Sequence, residues 1–133
     1  MTALLDTNVL IRFLTIDKNT KFKGVFQFFQ DIEKGKVVTE LKLIVLFQTI
    51  FVLINYYKVP KNKIAEAILD ILKLKGLRIK EKRVVQRAVE IWDLNSIEII
   101  DAYLISCLEK DSNTALYSYD KDFDKFGINR LEP

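Results

Sequence analysis

Residues 3–11 read ALLDTNVLI. Apolar side chains flank Asp6-Thr7-Asn8 on both sides, so a carboxylate and two hydrogen-bonding side chains interrupt what otherwise reads as buried structure. The short run ALLD predicts a buried strand that ends on a polar residue. TNVLIRFLTID then predicts the first turns of a helix, for which Asp6 is a competent N-cap. A strand ending in Asp has a second reading. In open parallel sheets, ligands gather outside the carboxyl ends of the strands, and a strand-terminal carboxylate is placed to meet one.

Outward from that stretch, short apolar runs alternate with longer helical patterns. TKFKGVFQFFQDIEKG, residues 20–35, has Phe22, Val25, Phe26 and Phe29 at helical spacing, with Thr20 as a candidate N-cap and Gly35 as C′. KVVTE, residues 36–40, predicts a strand. LKLIVLFQTIFVLINYY, residues 41–57, predicts a buried helix, being too long for an ordinary strand. Its 17 residues include Lys42, Gln48, Thr49 and Asn55, which makes it a poor membrane span. Pro60 opens a further helix with Ile64, Ala67, Ile68, Ile71 and Leu72 on one face, closed by Gly76. LRI at 77–79 predicts a small strand. KRVVQRAVEIWDLN places Val84, Ala88, Ile91 and Trp92 on an apolar stripe. SIEIIDAYLISCLEKD predicts another helix with Ser96 as candidate cap. TALYSYD and INRLE predict strands on either side of a short turn or helix, KDFDKFG. The alternation predicts an α/β fold with a short, mostly parallel central sheet flanked by helices.

The chain has 133 residues, half of them hydrophobic and 29% charged, with four Gly and two Pro. That balance, without a composition break or an internal repeat, predicts a single domain over residues 1–133. The first residues carry no basic segment and Asp6 breaks the early apolar run, so no signal peptide is expected. The lone cysteine, Cys107, has no partner for a disulfide within the chain and reads as a small buried hydrophobe. A cytoplasmic location is the default expectation. The chain contains no histidine, which excludes Ser-His-Asp, Cys-His and His-based ribonuclease chemistry. It also leaves no plausible ligand set for zinc. Carboxylates, amides and hydroxyls remain, an inventory suited to an oxygen-ligated cation such as Mg²⁺ or Mn²⁺. The net charge of +3 permits a polyanionic partner without demanding one.

Three acids stand out by position. Asp6 and Asp120 each end a predicted strand, and Asp122 follows Asp120 by two residues. Asp101 sits among Ile99, Ile100, Ala102, Leu104 and Ile105, where an unpaired charge is costly. Each has an ordinary structural reading: Asp6 as a helix cap, Asp120 as a turn residue, Asp101 as an acceptor for a core hydroxyl. Glu98, Asp124, Asp93 and Asp17 read as solvated surface. Together the three Asp residues predict convergence on one concavity.

LLDTNVLI, IIDAYLIS and YSYDKDFDKFG, in that order along the chain, resemble the motifs of the PIN domain family, and more narrowly those of VapC-type toxins of prokaryotic toxin–antitoxin pairs. The segment SYDKDF is similar to the family's Thr-x-Asp-x-Asp-Phe pattern, with Ser118 in the Thr place. The resemblance covers essentially the whole chain and implies a three-layer PIN-like α/β fold. It implies a Mg²⁺- or Mn²⁺-dependent ribonuclease with an acidic cleft, an RNA substrate, a VapB-like antitoxin as partner, a homodimer and no membrane association. Carried over by residue, Asp6 matches the first acid, Asp101 the third and Asp120 the fourth, with Asp122 auxiliary. Thr7, Asn8 and Ser118 match residues that orient the site. Clustered carboxylates repel a phosphate backbone unless a cation inverts the local charge. Arg12, Lys18, Lys121 and Lys125 are then candidates for phosphate contacts at the rim.

The sequence departs from the family at the second acid, a Glu in the helix after the second strand. Aligning the apolar pattern of that helix places Gln48 there. Glu40 lies eight residues earlier, about 12 Å of helix rise, too far to substitute. Gln keeps an acceptor oxygen but loses a full charge, so metal affinity is expected to fall. A PIN-like RNA- or protein-binding module with weak or no catalysis is therefore the alternative reading. A receiver-like domain ranks last, because ALLDTN holds no acidic pair and KVVTE holds no Asp. The aromatic-rich helix FKGVFQFFQ and the long apolar helix carry more hydrophobic surface than a small sheet needs, which predicts a dimer interface and a groove for an antitoxin segment.

Overall fold

A computed structural model describes residues 1–15 and 23–133, apart from the side chain of Lys23. The expectations for Asp17, Lys18, Thr20 and Phe22 lie outside the described residues. The chain forms two compact units, Met1–Lys80 and Glu81–Pro133. Both mix helices with very short parallel strands, a helix-rich form of the expected α/β class.

The first unit contains α1 (Thr7–Leu14), α2 (Lys23–Glu33), β1 (Thr39–Glu40), α3 (Leu43–Asn55), α4 (Lys61–Leu72) and β2 (Leu77–Arg78). β1 and β2 pair in parallel, and Leu4 adds a single parallel bridge to Glu40 on the other side of β1. The Leu5 amide donates to the Glu40 carbonyl at 2.9 Å, and the Glu40 amide donates to the Ala3 carbonyl at 2.8 Å. The expected strand ALLD is thus one rung long. Apolar runs mark what is buried; they do not fix how many rungs a ladder keeps. Leu5, Leu10, Ile32, Leu46, Ile50, Ile64 and Ile68 are buried in this unit's core. Phe29 is buried and stacks on Phe13 with ring centroids 3.9 Å apart, whereas Phe26 of the same expected stripe is 48% exposed. Pro60 is the N-cap of α4, as its fixed backbone angle favours near a helix start. Gly76 does not end α4, which stops at Leu72. Gly76 instead lets two backbone segments touch: its amide donates to the Ile32 carbonyl, and its carbonyl accepts from the Thr39 amide.

The second unit contains α5 (Lys82–Leu94), α6 (Ile99–Lys110), β3 (Leu116–Tyr117), a 3₁₀ turn (Lys121–Phe126) and β4 (Arg130–Leu131). β3 and β4 pair in parallel. Val84, Ala88, Ile91 and Trp92 are buried as the stripe predicted, and α5 packs along α6, where Ile99, Ala102, Ile105 and Leu108 are buried. The Ser106 hydroxyl, buried in that seam, donates to the Val84 carbonyl at 2.7 Å. Glu98, not Ser96, is the N-cap of α6. Cys107 is half-buried rather than sealed in the core.

Candidate functional site

In the first unit the motif Asp6-Thr7-Asn8 begins where the Leu4 bridge ends. Leu5 is buried, but Asp6 and Asn8 are exposed, so the polar triplet emerges from the core rather than interrupting it. Asp6 is the N-cap of α1, its Oδ1 accepting from the Thr7 amide at 2.8 Å. The capping reading and the ligand reading are compatible, because that bond engages one carboxylate oxygen. The Thr7 hydroxyl donates to Gln48 Oε1 at 3.1 Å, joining α1 to α3 across 41 residues of sequence. The helix register therefore brings Gln48 to the residue beside Asp6. Glu40 stays in β1, where its carboxylate pairs with Lys42 Nζ at 3.2 Å. Leu4, Val9, Val25 and Phe28 line an apolar hollow of about 340 Å³ that reaches Asp6.

In the second unit Asp101 sits in the first turn of α6 and is half-buried. Burial pushes its carboxyl above the usual carboxylate range, and the charges of Asp120 and Glu98 push the same way. Asp120 is exposed and caps the 3₁₀ turn, its Oδ1 accepting from the Asp122 amide at 2.9 Å. The Ser118 Oγ accepts from the Asp120 amide at 3.0 Å, so Ser118, Asp120 and Asp122 form one hydrogen-bonded turn. The Asp122 side chain is exposed and lies 4.0 Å from Lys125 Nζ. The Ser118 hydroxyl thus holds the backbone of this turn.

Arg130 braces this turn, and sequence reasoning missed it. Its guanidinium donates to both carboxylate oxygens of Asp124, at 2.8 and 3.3 Å, to the Ser118 carbonyl at 2.9 Å and to Glu132 at 2.9 Å. Asp124, expected to be solvated surface, is held below the usual carboxylate range by that bond. The only hint in the sequence is a cation six residues after an acid with Gly127 between them. Gly127 adopts a left-handed conformation, φ 68°, which turns the chain back toward Asp124.

In each unit the donors suit a hard cation. The first offers the Asp6 carboxylate and the Gln48 amide oxygen, the second the carboxylates of Asp101 and Asp120, and among the described residues no salt bridge neutralises any of these acids. Crowding of Asp101 by Asp120 and Glu98 is the electrostatic situation a divalent ion relieves. Among the described residues, no three carboxylate or thiol groups lie together in ready-made ligand geometry, so the fit is one of donor chemistry.

The PIN domain profile matches residues 3–129. An α/β chain with Asp residues at strand ends and in a helix first turn thus belongs, over nearly its whole length, to the PIN domain family. PIN domains are generally nucleases that use divalent metals. No curated protein and no solved structure matches the chain. Among the described residues no helix is long and apolar enough to cross a membrane.

Proposed function

We propose that the chain is a Mg²⁺- or Mn²⁺-dependent ribonuclease, the toxin of a VapBC-type pair, acting in the cytoplasm as one PIN domain over residues 1–133. The observation that carries the metal dependence is Asp101. It is half-buried, its carboxyl is pushed up by burial and by Asp120 and Glu98, and no cation among the described residues offsets it. By their match to the family motifs, Asp6, Asp101 and Asp120 would hold the metal, with Asp122 auxiliary. When bound, the cation lowers the pKa of a coordinated water and offsets charge on the phosphoryl oxygens. Thr7 fixes the Gln48 amide, Asn8 follows Thr7 in the chain and is exposed, and Ser118 fixes the Asp120 backbone. Arg130 holds the turn that carries Asp120 in one conformation.

Gln48 supports a second reading, an RNA-binding module that cuts poorly. Its Oε1 already accepts from Thr7, and an amide oxygen brings no net charge to a cation. Labelled structured RNA in Mg²⁺, Mn²⁺ or EDTA, beside Asp6→Asn, separates the two. Cleavage that needs metal and Asp6 supports the ribonuclease; binding without cleavage in Mn²⁺ supports the module. Cleavage surviving both EDTA and Asp6→Asn discards the mechanism.

Exposed apolar residues support the partner reading. Ile44 is 77% exposed and Phe51 38%, and helical periodicity puts them on one face of α3 with Gln48 between them. An apolar antitoxin segment lying on Ile44 and Phe51 crosses Gln48 and blocks access to it. The Tyr56–Tyr57 pair at the end of α3, also exposed, is the surface assigned to the homodimer.

A further inference from the structure

We infer that the second unit carries an RNA-backbone contact of its own, in the hollow where the start of α5 faces the end of α6. The inference rests on the ribonuclease reading and extends it to a part of the surface that the motif residues do not touch. Asp101 and Lys110 are nine residues apart on α6, about 13 Å of helix rise, so the hollow and the Asp101 carboxylate lie toward opposite ends of that helix. The cavity has a volume of about 550 Å³, within the range of pockets that hold ligands.

Its charge is lopsided. Lys82, Arg83, Arg87 and Lys110 line it against Glu81 and Glu109. Arg87 is fastened to Glu109 through two hydrogen bonds, at 2.9 and 3.2 Å. Glu81 accepts from the Tyr103 hydroxyl at 2.6 Å. Lys82, Arg83 and Lys110 are exposed, and no ion pair holds any of them among the described residues. With Arg87 set against Glu109, the three cations Lys82, Arg83 and Lys110 outnumber the one remaining carboxylate, Glu81.

The lining also says which part of a polyanion fits. Among the described residues that line the hollow there is no aromatic ring to stack a base. The hydroxyl of Ser106 is committed as a donor to the Val84 carbonyl, so that side chain has no proton left to read a base edge. What remains is a flexible cationic rim, which grips phosphates and is indifferent to sequence. A mononucleotide finds little there beyond its phosphate, whereas a strand brings several phosphates to three side chains.

The test uses the full chain and a fluorescent single-stranded RNA in EDTA, with anisotropy measured over a salt titration. Removing three phosphate contacts by Lys82→Ala/Arg83→Ala/Lys110→Ala lowers the slope of log affinity against log salt by about 2, equally for RNAs of unrelated sequence. Lys82→Arg/Lys110→Arg retains the wild-type slope. The control Lys34→Ala/Lys36→Ala/Lys63→Ala removes the same charge from the first unit and changes the slope by much less. A triple variant that keeps the wild-type slope, or a control that loses as much, overturns the inference while leaving the ribonuclease reading intact. The same holds if the triple variant loses affinity for polyglutamate but not for RNA, which assigns the hollow to an acidic peptide. If the wild-type chain binds no RNA in EDTA, the inference falls alone, because the ribonuclease reading needs metal in the cleft and is judged by cleavage in Mn²⁺.

Discussion

At the scale of single residues, Gln48 in the first unit and Asp101 in the second each carry a prediction about charge. Asp6 stood out as a polar break between apolar runs, and the structure shows it in the helix-cap role that the sequence allowed. The Thr7–Gln48 bond was not legible, since it joins residues 41 apart and only the packing of α1 on α3 brings them together. Gln48→Glu places a carboxylate beside Asp6. Without metal it is expected to lower the melting temperature or take up a proton. In Mn²⁺ the sign reverses: metal affinity and metal-induced stabilisation grow, and cleavage rises. Paired melts and cleavage assays over a Mn²⁺ titration check this, and unchanged values in both remove Gln48 from the site. Asp101 has the opposite sign. A carboxyl raised in the folded state contributes stability that is fully present below the unfolded value, near the usual 3.8, and is lost as pH rises through the folded value. In EDTA at neutral pH, Asp101→Asn is therefore expected to melt roughly 1–4 °C higher than wild type, and this gain disappears as the pH falls toward 3.8. In Mn²⁺, Asp101→Asn loses the metal-induced rise. A variant that melts lower than wild type at neutral pH in EDTA contradicts the assignment.

At the scale of elements, what the sequence hid was backbone proximity. Helices were legible because their apolar stripes repeat, as Val84, Ala88, Ile91 and Trp92 do. The two-residue strands fall inside the runs read as strands, but which of them pair, and for how many rungs, depends on how chain segments meet. Gly76 shows the consequence. A Cβ there would lie 2.0 Å from the Val37 carbonyl oxygen and 2.9 Å from that of Ile32, both backbone atoms that cannot swing aside. Gly76→Ala is expected to cost about 2–3 kcal/mol in a urea melt, although Gly76 lies far in sequence from every motif residue. The Arg130 brace is the counterpart in the second unit. Arg130→Leu removes the bonds to Asp124 and to the Ser118 carbonyl, freeing the turn that carries Asp120. Loss of an outer support of this kind is expected to weaken metal binding roughly 10-fold, read as a shifted Mn²⁺ midpoint in thermal melts. Arg130→Lys, a single point charge without the planar fork, restores only part of it. A wild-type midpoint in Arg130→Leu shows that the turn holds itself.

At the scale of the molecule, the profile match runs through both compact units, and the surface left exposed has to be accounted for. The long apolar run at 41–57 was read as a buried helix, yet Ile44, Phe51, Tyr56 and Tyr57 within it are exposed. Sequence pattern identifies an apolar segment; it does not say whether the covering partner belongs to the same chain. The aromatic pair Tyr56–Tyr57, 77% and 43% exposed with ring centroids 4.9 Å apart, is suited to an interface, where large rings contribute most per residue. Light scattering is expected to give twice the chain mass of 15.5 kDa. Tyr56→Glu should return the protein to a monomer, because a carboxylate at an apolar contact is desolvated without a partner. Ile44→Glu, on the face assigned to an antitoxin, should leave the dimer intact. Tyr56 lies at the exposed C-terminal end of α3, so loss of the dimer without a lower melting temperature at low protein concentration separates an interface effect from unfolding. A wild-type chain that scatters as a monomer across a wide concentration range sinks the dimer, and dissociation by Ile44→Glu but not Tyr56→Glu moves the interface onto the face that holds Gln48.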